Sequence, residues 1–269
     1  MLGAMLMENP PPFGDLLRSW RQRRRLSQLD LALEAEISAR HLSFVETGRA
    51  RPSREMVLRL AEHLDMPLRA RNALLTAAGF AATYPERPLD APELSAARGA
   101  VAQVLRAHAP FPALAVDRHW TLLAANDAVA PLLEGVAPAL LAPPVNVLRV
   151  SLHPEGMAPR IENLDEWRGH ILDRLRHQLA ATEDAVLAKL LAELRALPGR
   201  GGAGPTTDDL AGVAVPLRLR DGRGRVLSFL STTTVFGTAR DVTLAELALE
   251  CFYPADDATR AALGGSATS

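Results

Sequence analysis

Apolar residues in the first 80 positions recur at the three- and four-residue spacing of helices that bury one face. In the first such segment, Phe13, Leu17 and Trp20 lie on one stripe, and several arginines lie off it. Ser27 and Ser38 each precede another segment of this kind, and serine is a favoured helix N-cap. The pattern predicts five short helices, which span residues 13–25, 28–35, 39–47, 54–64 and 68–79.

Beyond residue 93 the pattern mixes helical and strand spacing. Apolar runs over 113–116 and 120–124 predict a hairpin, and Asn126 is suited to cap the helix that follows. Asp256 or Asp257 is suited to cap a short terminal helix. The other predicted helices span 93–108 and 164–197, the latter with a break near Thr182, and the other predicted strands span 213–220, 225–236 and 243–253.

Prolines mark the boundary between the two patterns. Three of them occur between Tyr84 and Pro92, where they disfavour a helix and predict a semi-rigid linker. The predicted organisation is a flexible N-terminus over 1–12, an all-α domain over 13–83, a linker over 84–92 and an α+β domain over 93–269.

Composition excludes several classes of protein. The 269 residues are 48% hydrophobic, which suits about two folded domains and argues against disorder. Cys251 is the only cysteine, so a disulfide framework is excluded. No apolar run approaches the roughly 18 residues of a membrane span, and the N-terminus lacks the basic flank of a signal peptide. We therefore expect a cytoplasmic protein with no membrane partner.

Charge is distributed unevenly between the two parts of the chain. Residues 1–84 hold 12 arginines and 9 acidic residues, a net charge of +3, whereas the remainder carries −4. Arginine suits phosphate geometry, so the basic part points to a polyanion partner. Richness in arginine and alanine can also reflect codon bias, and the charge alone does not decide between the two.

The second and third predicted helices have the spacing of a helix-turn-helix, with the small Ala32 where the two helices cross. Leu26-Ser-Gln-Leu29 opens the second helix, and Glu46-x-Gly48-x-x-x-Pro52 closes the third. Over about residues 13–80 the chain resembles the lambda-repressor/Cro-like (xenobiotic response element, XRE) regulators. Glu36 occupies a turn position that usually holds glycine, so we expect it to adopt a left-handed conformation.

This resemblance makes the third helix the expected recognition helix. With Leu42 and Val45 inward, Arg40 is positioned for a guanine and Phe44 for a thymine methyl group. His41 can reach a phosphate or pack inward, and Glu46 is expected to pair with an arginine of the first helix. The alternative is a plain helical bundle with a charged surface. The candidate DNA-binding residues are Gln28, Ser38, Ala39, Arg40, His41, Ser43, Phe44, Thr47, Arg49, Arg51 and Arg54.

The order of two strands, several helices and three strands resembles a PAS-like domain, an antiparallel five-stranded sheet with helices on one face. More specific motifs accompany Arg40-His-Leu-Ser-Phe44, and together they resemble the MmyB-like transcription regulators. These motifs are Val116-Asp-Arg-His-Trp120, Asn126, Asn146-Val-Leu-Arg149, His153-Pro-Glu-Gly156, Asn163-x-x-x-Trp167 and Phe252-Tyr-Pro-Ala-Asp256. The resemblance implies an XRE domain joined to a PAS-like ligand-binding domain associated with fatty acids.

A fatty acid needs an aliphatic wall and a polar anchor, because a buried charge is costly unless it is paired. Arg149, His153 and Arg160 are the candidate anchors, with an internal ion pair as the alternative for Arg149. The remaining candidate ligand-binding residues are Asn126, Trp167, Phe229, Thr233 and Phe236, and plain core packing is the alternative for the apolar ones. We expect a homodimeric regulator that binds an operator in double-stranded DNA and responds to a small apolar ligand.

No catalytic motif emerges from the sequence. There is no glycine-rich phosphate loop after a strand and no G-x-S-x-G motif, and His170 and His177 are too far apart for the usual metal pair. We expect no enzyme activity and no required cofactor, with a fatty acid as the expected bound molecule. Two alternatives remain for the second domain: a dimerisation or protein-interaction module, or a site for haem or flavin.

Overall fold

Short helices build most of the N-terminal unit in the computed structural model, which describes residues 11–199 and 215–264. Five predicted helices are confirmed, each ending one or two residues earlier than expected. They are α1 (Phe13–Arg23), α2 (Gln28–Glu34), α3 (Ala39–Glu46), α4 (Arg54–His63) and α5 (Leu68–Ala77). Their apolar stripes meet in one core whose fully buried members include Leu17, Leu31, Leu42, Leu60 and Leu74.

Local chemistry fixes the ends of these helices. The hydroxyls of Ser27, Ser38 and Ser53 each accept a hydrogen bond from the backbone amide three residues later. Each bond satisfies an amide that has no partner inside its helix. Glu36 adopts a φ of 53° in the turn between α2 and α3, which confirms the expected left-handed conformation.

An antiparallel sheet of five strands is the centre of the C-terminal unit, as far as the described residues extend. The strands are β1 (Ala113–Val116), β2 (Leu122–Ala125), β3 (Leu217–Arg220), β4 (Val226–Val235) and β5 (Ala248–Pro254). Their order across the sheet is β2-β1-β5-β4-β3. The α+β class and the five-stranded sheet are therefore confirmed. Val213, which was expected to begin the third strand, lies outside the described residues.

The helices of this unit lie mainly on one face of the sheet. Alternation along β1 sends Leu114 and Val116 into the core beneath them, and Ala113 and Ala115 to the opposite face. One helix, α6 (Ser95–Ala107), covers part of that opposite face. The other helices are α7 (Pro138–Leu141), α8 (Val147–Leu152), α9 (Leu164–Thr182), α10 (Ala185–Ala196) and the terminal α12 (Asp257–Ala262).

Several local predictions can be compared with these elements. The expected break near Thr182 is confirmed, since Glu183 is left-handed and Asp184 caps α10. Asp256 caps α12, as predicted. The capping role of Asn126 is wrong: its side chain forms no cap, because it bonds to the backbone of Ala113 and other residues, and the segment that follows is a 3-10 helix.

The connection between β4 and β5 belongs mostly to the N-terminal unit. Residues 238–245 are part of the N-terminal unit together with residues up to 87, whereas both strands belong to the C-terminal unit. Within this segment lies α11 (Val242–Ala245), where the amide of Val242 donates to the Pro85 carbonyl at 2.8 Å. A strand over 243–253 was expected, and its first part is wrong because α11 replaces it. No described helix is long and apolar enough to cross a membrane.

Candidate functional site

The third helix presents a polar and aromatic face. Leu42 and Val45 are buried, Arg40 is exposed, and Phe44 is half-buried. The guanidinium of Arg40 lies 5.4 Å from the centre of the Phe44 ring, close enough for a cation–π contact. These two side chains therefore form one connected surface, on the helix that was predicted to read DNA.

Hydrogen bonds to Glu46 connect α3 to α1 and α2. The buried carboxylate of Glu46 accepts hydrogen bonds from Arg21 Nε at 2.7 Å and Nη2 at 3.0 Å, which confirms the predicted pairing with the first helix. Gln28 Nε2 donates to the same carboxylate at 2.7 Å. Burial opposes ionisation, but the bonds from Arg21 and Gln28 and the charges of Arg21 and Arg18 outweigh it, and the pKa of Glu46 is lowered.

The other candidate DNA contacts surround this helix. The Ser38 hydroxyl is occupied as the N-cap, and the Gln28 amide has one further N–H after its bond to Glu46. Arg49 and Arg51 are exposed after α3, and Arg54 donates to Thr83 Oγ1 at 2.8 Å. The remaining candidates on α3 and its C-terminal end are half-buried or exposed: Ala39, His41, Ser43 and Thr47.

The C-terminal unit encloses a cavity of about 260 Å³ between the sheet and the helices. Its wall is overwhelmingly aliphatic and aromatic, as expected for a site that binds an apolar molecule. The apolar residues that line it include Leu114, Leu122, Val129, Leu148, Ile171 and Phe252.

One ion pair belongs to this otherwise apolar wall. Arg174, on α9, donates to both carboxylate oxygens of Glu250 on β5, at 2.6 and 3.0 Å. Thr233 donates to the same carboxylate at 2.8 Å. The Arg174 guanidinium also lies 4.4 Å from the centre of the Trp120 ring, close enough for a cation–π contact. Glu250 is only 4% exposed, so Arg174 is essential to its charge balance.

His170 lies one helical turn before Arg174 on α9 and adds an imidazole to the cavity wall. His170 stacks on Trp167 with ring centres 5.4 Å apart, and both residues line the cavity. Burial, followed by the charge of Arg174, lowers the pKa of His170 and favours the neutral ring, although Glu250 opposes the shift. Trp167 Nε1 donates to Ser151 Oγ at 3.0 Å. The cavity thus combines apolar walls with a small polar cluster.

The predicted anchors do not lie in this cavity wall. Arg149 forms a bidentate pair with Glu193, and both side chains are more than 40% exposed. Arg160 donates to the Leu132 carbonyl, and His153 Nδ1 accepts from the amide of Glu155. Arg149 and His153 both lie near Glu193, outside the cavity wall, whereas Arg160 bonds elsewhere, to the backbone of Leu132.

Among the other predicted ligand-binding residues, Trp167 lines the cavity. Phe229 is fully buried in the main core, and Thr233 bonds to the Arg174–Glu250 pair. Phe236 packs in the cluster on the opposite face of the sheet, and Asn126 bonds to the backbone around β1.

The polar residues His170, Arg174 and Glu250 of the cavity were not among the predicted ligand-binding residues. Trp167, His170 and Arg174 follow one another at three- and four-residue spacing, so they share one face of α9. Glu250 alternates with the apolar Leu249 and Cys251 in a strand, so it lies on the opposite face from them, and the structure shows that this face is covered as well. These spacings were visible, but only the fold brings the two elements together.

Comparisons with known proteins agree with this geometry. Residues 97–264 match the family model for the MmyB-like transcription regulator ligand binding domain. Residues 12–74 match a helix-turn-helix domain model. A comparison with curated proteins gave no match. The described ranges contain no group of His, Cys, Asp and Glu residues suited to hold a metal ion.

Proposed function

Because the chain belongs to the family of MmyB-like transcription regulators and begins with a helix-turn-helix domain, we propose that it is a transcription regulator whose operator binding responds to a fatty acid. The observation that carries the proposal is the apolar cavity of about 260 Å³ in the domain that follows the recognition helix. The two matched family models describe a helix-turn-helix domain and a ligand-binding domain, and neither describes an enzyme.

In this proposal a homodimer places two copies of α3 in successive major grooves of a near-palindromic operator. Arg40 reads a guanine, and Phe44 contacts a neighbouring thymine methyl group. Arg49, Arg51 and Gln28 bind phosphates and position the helix without reading sequence. Support comes from the exposure of Arg40 and from the Glu46 hydrogen bonds that hold α3 against α1 and α2.

The ligand alters DNA affinity only if it binds two arrangements of the protein with different affinities. A covalent route for such coupling runs through the β4–β5 connection. Ser231 on β4 and Glu250 on β5 line the cavity, and residues 238–245 between these strands belong to the N-terminal unit. A ligand that shifts β4 or β5 therefore acts directly on a segment of the DNA-binding unit.

The first test is native and denaturing mass spectrometry of the purified protein, with organic extraction of any released molecule. A fatty acid at near-stoichiometric amount supports the proposed ligand. Selected operator DNA is then titrated with lipid-free and lipid-loaded protein. Equal DNA affinities in the two states would reject the sensing function, and a cavity that takes up no lipid would favour a dimerisation module.

A further inference from the structure

The charged groups of the cavity wall balance one another before a fatty acid enters. Three of the described residues that line the cavity are titratable: His170, Arg174 and Glu250. Arg174 is paired with Glu250 through hydrogen bonds of 2.6 and 3.0 Å, and Glu250, which is 4% exposed, depends on that positive charge. An entering carboxylate therefore adds a negative charge that needs a further positive partner in a partly buried site.

The His170 ring is placed to become that partner. Within the described ranges it forms no hydrogen bond, so both of its nitrogens remain available to a ligand. Stacking on Trp167, with ring centres 5.4 Å apart, holds the ring at the cavity wall. In the empty cavity, burial and the charge of Arg174 lower the pKa of His170, whereas Glu250 opposes the shift, so the ring is neutral near pH 7.

The surroundings of this ring contain few other polar groups. On its own helix α9 it faces the charge of Arg174, and from β5 it faces the charge of Glu250. The helix α8 and the strand β4 contribute the uncharged Ser151 and Ser231 to the same cavity wall. The charge on a bound head group is therefore felt most directly by the imidazole.

We propose that His170 binds the carboxylate of the fatty acid and takes up one proton from the solvent as the ligand enters. This inference rests on the proposed fatty-acid-binding function and adds the residue that recognises the head group. The neutral imidazole gains the proton on its free nitrogen and becomes an imidazolium, while the ligand keeps its negative charge. The Arg174–Glu250 pair stays intact, and the total charge of the cavity and its ligand returns to zero.

The proton goes to the imidazole because it is the stronger base of the two. An ordinary histidine has a pKa of about 6.5, whereas the carboxylic acid of a glutamate side chain has a pKa of about 4.3. A bound carboxylate raises the pKa of the imidazole above its value in the empty cavity. Fatty-acid affinity is therefore highest below the pKa of His170 in the empty cavity, and it falls as the pH rises through the higher pKa of the complex.

The test measures proton uptake during binding. Lipid-free full-length protein is titrated with decanoate by calorimetry at about pH 7, where the free acid is ionised. Titrations in phosphate and in HEPES, which differ in heat of ionisation, give the number of protons taken up. Decanol, which has the same chain length and no carboxylate, is the ligand control. Decanoate labelled with carbon-13 at its carboxyl shows by its chemical shift whether the bound head group is ionised.

The variants are His170→Gln and, as a matched control, His177→Gln. His177 lies on the same helix but is exposed and does not line the cavity. We expect wild type and His177→Gln to take up at least about half a proton per decanoate and none with decanol, with the bound carboxyl ionised. His170→Gln should bind decanoate at least about tenfold more weakly than wild type, because the buried anion loses its cation.

Two results with wild-type protein overturn the inference, whether or not the variant folds. They are decanoate binding without proton uptake, and a bound carboxyl that is protonated. A folded His170→Gln protein with the wild-type affinity for decanoate also overturns it. Absence of saturable decanoate binding to wild-type protein instead overturns the proposed fatty-acid-binding function.

Discussion

Replacing Glu46 by alanine should destabilise the N-terminal unit more than any surface substitution. The carboxylate is buried and accepts three hydrogen bonds, two from Arg21 and one from Gln28. The substitution leaves the Arg21 side chain, only 10% exposed, without its counter-ion. Its remaining hydrogen bond is the one from Nη1 to the Leu26 carbonyl, at 2.9 Å.

Removing one partner of a buried ion pair costs about 3–5 kcal/mol. Arg21 keeps its bond to Leu26, so we expect the lower end, about 3 kcal/mol, for Glu46→Ala. The loss should also depend on pH. The pKa of Glu46 is lowered in the folded unit, so its contribution is complete above the ordinary glutamate value of about 4.3. The contribution is lost as the pH falls through the lower, folded pKa.

Hydrogen exchange followed by mass spectrometry is the suitable assay, because it reports opening of residues 13–77 separately from the rest of the chain. The slowest-exchanging amides of α1 and α3 should exchange roughly 100-fold faster in Glu46→Ala, since each 1.4 kcal/mol is a factor of ten. Glu193→Ala, which removes an exposed partner, should change protection by less than about 1 kcal/mol.

A double variant, Arg21→Met with Glu46→Leu, separates the two possible causes of the loss. It removes both charges and fills the space with apolar groups, an exchange that is often neutral. It should therefore recover most of the protection that Glu46→Ala loses. The reasoning is refuted if Glu46→Ala costs less than about 1 kcal/mol, or if the double variant is as unstable as the single one.

Four further substitutions test other parts of the molecule. A Cβ atom on Gly14 would lie 2.2 Å from the Glu46 carbonyl oxygen, so Gly14→Ala should lower the stability of the N-terminal unit by about 1–3 kcal/mol. A thermal melt measures this loss, and an unchanged melting midpoint would contradict the close packing of α1 and α3. In operator titrations, Arg40→Ala should cost about 1–3 kcal/mol and relax one base preference, whereas Arg51→Ala should weaken all sequences and flatten the salt dependence. Equal changes of DNA affinity and salt dependence in the two variants would reject base reading by Arg40 and phosphate binding by Arg51. Ile171→Trp should fill the cavity and abolish fatty-acid binding while the circular dichroism spectrum stays unchanged. Retained fatty-acid binding would place the ligand elsewhere.

Much of the fold was determined by local sequence. Helical spacing and serine caps set the five N-terminal helices, because a helix end needs a partner for its free amides within a few residues. The break near Thr182 was likewise visible, since Asp184 can satisfy the first amides of a new helix. Alternating residues identified most of the strands because each strand has a covered face.

Local pattern failed where long-range contacts decide the structure. Alternating apolar residues predicted a strand from residue 243, but residues 238–245 bond within the N-terminal unit and include α11. Asn126 has the chemistry of a helix cap, yet tertiary packing directs its amide to the Leu105 and Phe111 carbonyls. In each case the competing partner is distant in sequence, so spacing alone does not reveal it.

The sequence by itself determined the five N-terminal helices, including α3, because their spacing and caps lie within a few turns of one chain segment. Only the tertiary structure decided the polar cluster of the cavity, because Arg174 and Glu250 are 76 residues apart and meet across a helix and a strand. It also showed that Arg149, which has suitable chemistry for an acid, pairs with Glu193 outside the cavity wall. A charged side chain takes its function from the partner that the fold places beside it, and that partner is set by packing over the whole domain.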